Sequence, residues 1–105
     1  MPEIEYQEVA KTSDIPQGKT RAVSLGEREI LICHTAEGYF AVDNLCSHAD
    51  AKLSEGKLKG CRILCPLHGA AFDVRDGSVL SKPAREPLCS YALLLEGENI
   101  LLALK

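Results

Sequence analysis

Short apolar segments alternate with Gly, Asp and Pro breaks along the whole chain, a pattern that predicts strands and tight turns. Residues 4–9 and 20–25 read as the first two strands. Between them, residues 11–18 carry Ser, Asp, Pro and Gly and read as loop, with one helical turn at 13–15. Gly26, Glu27 and Arg28 turn the chain. Residues 29–34 and 39–43 then form a hairpin joined at Ala36, Glu37 and Gly38. Cys/His segments at 46–48 and 65–68 interrupt the regular pattern, and between them Gly56, Gly60 and several lysines mark loop and a short strand. Residues 62–64 form a further strand. Residues 71–74 and 78–80 flank Arg75-Asp76-Gly77, where Asp-Gly is a strong hairpin signal. A proline-bracketed loop covers 83–87, and residues 91–95 and 100–104 form a last hairpin. The elements predict an all-β fold, a small antiparallel sandwich or barrel with residues 44–74 inserted as a metal-binding lobe.

Length confines the chain, residues 1–105, to a single domain. A net charge of −3 and the lack of a Lys/Arg run argue against nucleic acid as a partner. The N-terminus has no basic region followed by an apolar stretch. The longest apolar runs, 92–95 and 100–104, are far too short to cross a bilayer. A soluble, cytoplasmic protein is expected. With five cysteines, an odd count, and a reducing compartment, the thiols serve metal binding or core packing rather than a disulfide framework.

The candidate chemistry sits in two boxes. Cys46-Ser47-His48 is C-x-H, and Cys65-Pro66-Leu67-His68 is C-x-x-H. Two thiolates and two neutral imidazoles hold either one tetrahedral zinc or two bridged irons. The iron case has a distinctive charge. Two thiolates neutralise two ferric ions and two sulfides, so one electron takes the centre only to a single negative charge. Four thiolates would start doubly negative, and His ligation therefore raises the potential. Pro66 stiffens the second loop, while Gly69 and Gly60 allow a positive φ or a close backbone approach.

Cys46-Ser47-His48 and Cys65-Pro66-Leu67-His68-Gly69 resemble the two boxes of the Rieske family. The likeness runs on through Phe72-Asp73 and Asp76-Gly77 to the proline loop at 83–87. It implies a Rieske-like fold and one 2Fe–2S cluster ligated by Cys46, His48, Cys65 and His68, with both histidines on the outer iron. Respiratory members carry an extra Cys in each box; Ala51 and Leu67 stand there in this chain, so that disulfide cannot form. The same members place Ser and Tyr hydroxyls where this chain has Ala70 and Phe72. Fewer donors to the cluster imply a potential near the low end of the Rieske range, roughly −150 mV.

The chain is similar to the small Rieske ferredoxins of bacterial aromatic-ring-hydroxylating dioxygenase systems. That similarity implies a one-electron carrier, itself not an enzyme. Its implied partners are a flavin-dependent ferredoxin reductase that uses NAD(P)H and a terminal Rieske oxygenase. A terminal oxygenase adds a large mononuclear-iron domain for which this chain has no length, and His34 is the only histidine outside the boxes. A monomer is the default for a mobile carrier. Alternatives from neighbouring classes are a ferredoxin of a di-iron monooxygenase, a nitrite reductase small subunit and a zinc-binding structural module. Asp50, Glu55 and Asp73 near the boxes are interspersed with Lys52, Lys57, Lys59 and Arg62, which reads as a mixed solvated surface. Cys33 reads as core, Cys61 as structural, Cys89 as a strand-edge or core thiol and His34 as a surface or turn residue. Tyr39, Phe40 and Phe72 read as core packing.

Overall fold

The computed structural model describes residues 5–46, 51–66, 69–81 and 86–104. The strands are β1 (Glu5–Lys11), β2 (Thr20–Leu25), β3 (Arg28–Thr35), β4 (Gly38–Asp43), β5 (Lys57–Lys59) and β6 (Arg62–Leu64), followed by β7 (Ala71–Asp73), β8 (Val79–Ser81), β9 (Ser90–Tyr91), β10 (Leu93–Glu96) and β11 (Asn99–Leu104). Single 3-10 turns occur at Thr12–Asp14 and Leu53–Glu55. The strands pair antiparallel in three sheets, ordered β1-β11-β10, β2-β3-β4-β9 and β5-β6-β7-β8. The all-β reading holds, and among the described residues no helix is long and apolar enough to cross a membrane.

The β2-β3-β4-β9 sheet is the middle layer, because β3 is buried on both faces. Ile30, Leu31, Ile32 and Cys33 are all fully buried. Successive side chains leave a strand on opposite faces. Ile30 and Ile32 join Ile15, Leu25, Ile100 and Leu102, which pins the β1-β11-β10 sheet to one side. Leu31 and Cys33 join Ile63, Phe72 and Val74, which pins the β5-β6-β7-β8 sheet to the other. A strand covered on both sides reads as a continuous apolar run, which is what 30–33 shows. Each such side chain taken from water stabilises the fold by about 1.5–3 kcal/mol.

Two expectations change with the tertiary structure. The strand predicted over 91–95 is broken at Ala92. Ser90–Tyr91 pairs with β4, whereas Leu93–Glu96 pairs with β11, so the chain changes sheets in the middle of its apolar run. His34 is not a surface or turn residue. It lies within β3, its Nδ1 sits 2.8 Å from the Ile15 carbonyl oxygen, and its ring stacks on Tyr39 at 3.9 Å between centroids. It thereby fastens the 12–19 loop to the central hairpin.

Candidate metal centre

Two cysteine loops leave the central core, and each closes with the same hydrogen bond. The Cys46 N–H donates to the Ala51 carbonyl at 2.9 Å, and the Cys65 N–H donates to the Ala70 carbonyl at 2.7 Å. Each bond spans five residues. The second loop rises from a regular ladder, because Leu64 pairs with Ala71 where β6 meets β7. Within it Gly69 has φ 72°, a left-handed conformation that a Cβ would strain, and its carbonyl accepts from Ser81 Oγ at 3.3 Å. Among the described residues the first loop has no ladder beneath it. Its feet meet in one isolated bridge between Leu45 and Lys52, followed by the 3-10 turn.

Cys46 and Cys65 are each 4% exposed and belong to one packed cluster with Ala51, Ala70, Phe72 and Leu88. Two thiols at matching positions relative to these closing bonds, sunk against one core, are candidate donors to a group held between the loops. Ala70 and Phe72 are fully buried beside them and bring no hydroxyl. His48 and His68 lie outside the described residues, as do Leu67, Asp50 and residues 83–85 of the proline loop.

Of the other cysteines, Cys33 shares the packed cluster of this pair and Cys61 packs against it, whereas Cys89 lies outside it. Cys33 is fully buried in β3, and burial pushes its thiol up to about 12. Cys61 is half-buried, with its thiol 3.7 Å from Thr35 Oγ1. Cys89 is exposed at the edge of β9.

Two polar networks escape a reading of the sequence. Asn44 is a fully buried side chain just before the first box. Its Nδ2 donates to Glu29 Oε1 at 3.0 Å and to Ser54 Oγ at 3.3 Å, and its Oδ1 accepts the Ser54 N–H at 2.8 Å. The only sequence signal was an amide residue between an apolar strand and a Cys box. Arg75 forks onto Asp73, with Nη2 to Oδ2 at 2.7 Å and Nε to Oδ1 at 3.0 Å, and its Nη1 reaches Glu37 Oε1 at 3.3 Å. That fork ties the β7–β8 turn to the β3–β4 turn and holds the Asp73 carboxyl below its ordinary range.

Beside Cys46 opens a cleft of about 630 Å³ whose wall includes Arg28, Asp43, Leu45 and Cys89. Arg28 Nη1 donates to the Tyr91 hydroxyl at 3.0 Å, and that hydroxyl donates to Asp43 Oδ1. Burial first, and the Asp43 carboxylate second, push the Tyr91 phenol above its ordinary range. Asp43 also accepts the Cys89 N–H at 3.1 Å, so the end of β4 that feeds the first box is fixed to β9. Leu45 protrudes into solvent at 55% exposure.

The model of the Rieske [2Fe-2S] domain matches residues 5–92. The ferredoxin component of biphenyl 2,3-dioxygenase from Rhodococcus jostii (strain RHA1) is 36% identical over 97 residues, covering 92% of this chain and 91% of that one. Among solved structures, the ferredoxin of carbazole 1,9a-dioxygenase from Nocardioides aromaticivorans IC177 superposes with a TM-score of 0.91. It is 32% identical and covers 95% of this chain and 98% of that one. A ferredoxin chain solved in a complex of reduced oxygenase and oxidized ferredoxin in carbazole 1,9a-dioxygenase superposes with a TM-score of 0.88. It is 31% identical, covering 93% of this chain and 92% of that one.

Proposed function

The chain belongs to the Rieske [2Fe-2S] domain family, and from that premise we propose that it is the ferredoxin component of a bacterial aromatic-ring dioxygenase system. Its cofactor is one Rieske-type 2Fe–2S cluster, which supplies reversible uptake of a single electron. Cys46 and Cys65 would hold the cluster through their thiolates, and His48 and His68 through neutral imidazoles. The observation that carries this reading is the matched closure of the two cysteine loops over one buried core.

The rest of the chain works around those ligands. Phe72, Ala70 and Leu88 exclude water from the thiolate side, and a low local dielectric strengthens every hydrogen bond to it. The paired β6–β7 ladder fixes the second loop, so little rearranges when the charge on the centre changes. Residues 1–105 act as a single domain, with a cluster-binding lobe at about 44–74. The chain is a carrier and not itself an enzyme: it takes electrons from a flavin-dependent reductase and delivers them to a terminal Rieske oxygenase. Docking is weak and transient, as suits a shuttle.

Ligand substitution tests the assignment. Cys46→Ser and His68→Ala should each abolish or grossly alter the visible and EPR spectra of the cluster, whereas Cys89→Ser should leave both unchanged. A wild-type spectrum from Cys46→Ser would remove Cys46 from the ligand set and with it this reading of the centre.

A further inference from the structure

The two cysteine loops share a closure but not a foundation. The second stands on the β6–β7 ladder, whose last pair, Leu64 and Ala71, lies directly beneath Cys65 and Ala70. Among the described residues, the first stands on a single bridge, Leu45 to Lys52, followed by a 3-10 turn rather than a strand. A loop that must hold a thiolate still needs its feet fixed in another way. At that place the structure inserts Asn44, whose side chain is 0% exposed.

Asn44 has bonds in three directions. Its backbone N–H donates to the Glu29 carbonyl at 3.0 Å, and its carbonyl accepts the Leu53 N–H at 2.7 Å. Its carboxamide donates to the Glu29 carboxylate at 3.0 Å and to Ser54 Oγ at 3.3 Å, and it accepts the Ser54 N–H at 2.8 Å. Both donors and the acceptor of the carboxamide are therefore used. The outgoing foot of the loop is bound to the returning foot at Leu53 and Ser54, and both are bound to the start of β3 at Glu29. Lys52, in the returning foot, adds an exposed ion pair to the same carboxylate at 3.6 Å.

We infer that Asn44 is the positioning residue of the first ligand loop, doing through its side chain what the β6–β7 ladder does for the second. It touches no iron; it acts through Cys46, two residues on. The inference rests on the reading of Cys46 as a ligand. Outer partners of metal ligands typically influence affinity by about 10–100-fold when removed, and a buried carboxamide stripped of its partners also leaves those partners unsatisfied.

The test separates positioning from mere stability. Asn44→Leu keeps the volume and removes every side-chain bond. It should lose iron to a ferrous chelator about 10–100-fold faster than wild type, with shifted EPR g-values and a shifted midpoint potential. Ser54→Ala should move the same readouts in the same direction by less. Thr35→Val is the control. Thr35 is also buried, at 3% exposed, and its Oγ1 is hydrogen-bonded, but it lies at the β3–β4 turn. That variant should lower the urea midpoint while keeping the wild-type iron-loss rate, g-values and potential.

An isosteric pair decides the matter if Asn44→Leu does not fold. Asn44→Asp sets a carboxylate against Glu29 and should perturb the cluster spectrum. Adding Glu29→Gln exchanges donor and acceptor across the same contact and should restore it. Wild-type cluster readouts in Asn44→Asp, or changes no larger than those of Thr35→Val, would overturn the inference. A perturbed Cys46→Ser beside a silent Asn44→Asp would sink the positioning role alone. A silent Cys46→Ser would sink the ligand assignment beneath it.

Discussion

The amide of Cys65 donates to the carbonyl of Ala70 at 2.7 Å, which brings the fully buried Ala70 back against the ligand loop without any side-chain donor. A hydroxyl at this position would favour the reduced, more negative centre. Ala70→Ser should therefore raise the midpoint potential. One net hydrogen bond of about 0.5–1.5 kcal/mol corresponds to roughly 20–60 mV for one electron. Protein-film voltammetry of the well-folded variant reads this directly, and an unchanged or lowered potential would refute the argument.

Arg75 and Asp73 give the fold an acid-side dependence. The Asp73 carboxyl is held below its ordinary range, first by its hydrogen bond from the Arg75 side chain. A depressed folded-state value means the unfolded chain binds the proton more readily. The contribution is thus complete above the ordinary carboxylate range and is lost as pH falls through the lowered folded value. Arg75→Met should remove that part of the acid sensitivity. Urea midpoints of wild type and variant should differ at neutral pH and converge at strongly acidic pH; a constant gap across the whole range would contradict the fork.

The thiols should sort by environment. Cys89 is exposed, while Cys33 is fully buried with its thiol pushed up to about 12. Thiolate and access together govern alkylation. Brief iodoacetamide treatment of the native protein, followed by peptide mass spectrometry, should label Cys89 and spare Cys33. Labelling of Cys33 at a comparable rate would mean that the middle sheet opens far more readily than its packing implies.

Phe72 is the largest side chain in the fully buried set, and it shares the core that carries both cysteines. Phe72→Ala should cost about 3–5 kcal/mol, a large share of the 5–15 kcal/mol typical of a whole domain. Urea unfolding followed by circular dichroism measures it. A cost under about 1 kcal/mol would show that the lobe and the central sheet are not joined through this ring.

Much of this architecture is written in local sequence. The run Ile30–Leu31–Ile32–Cys33 announces a strand buried on both faces, and Asp76-Gly77 announces the turn that Gly77 makes at φ 82°. Features that depend on distant partners were not legible. The break at Ala92 arises because β4 captures Ser90 and Tyr91 while β11 captures Leu93 onward, a competition invisible in an unbroken apolar run. His34 looked like the end of a strand because its acceptor, the Ile15 carbonyl, lies 19 residues away. At the site, the Cys/His spacing points to the proposed ligands, but Asn44 has no motif. Its importance arises from Glu29 and Ser54, neither of which neighbours it in sequence.

An EPR-monitored redox titration of the purified protein tests the central claim most directly. A rhombic signal of the mixed His/Cys type, appearing on reduction near roughly −150 mV, is the predicted result. A strongly positive midpoint would contradict the low-potential carrier and the dioxygenase partner with it, and a colourless, EPR-silent, zinc-containing protein would contradict the cluster itself.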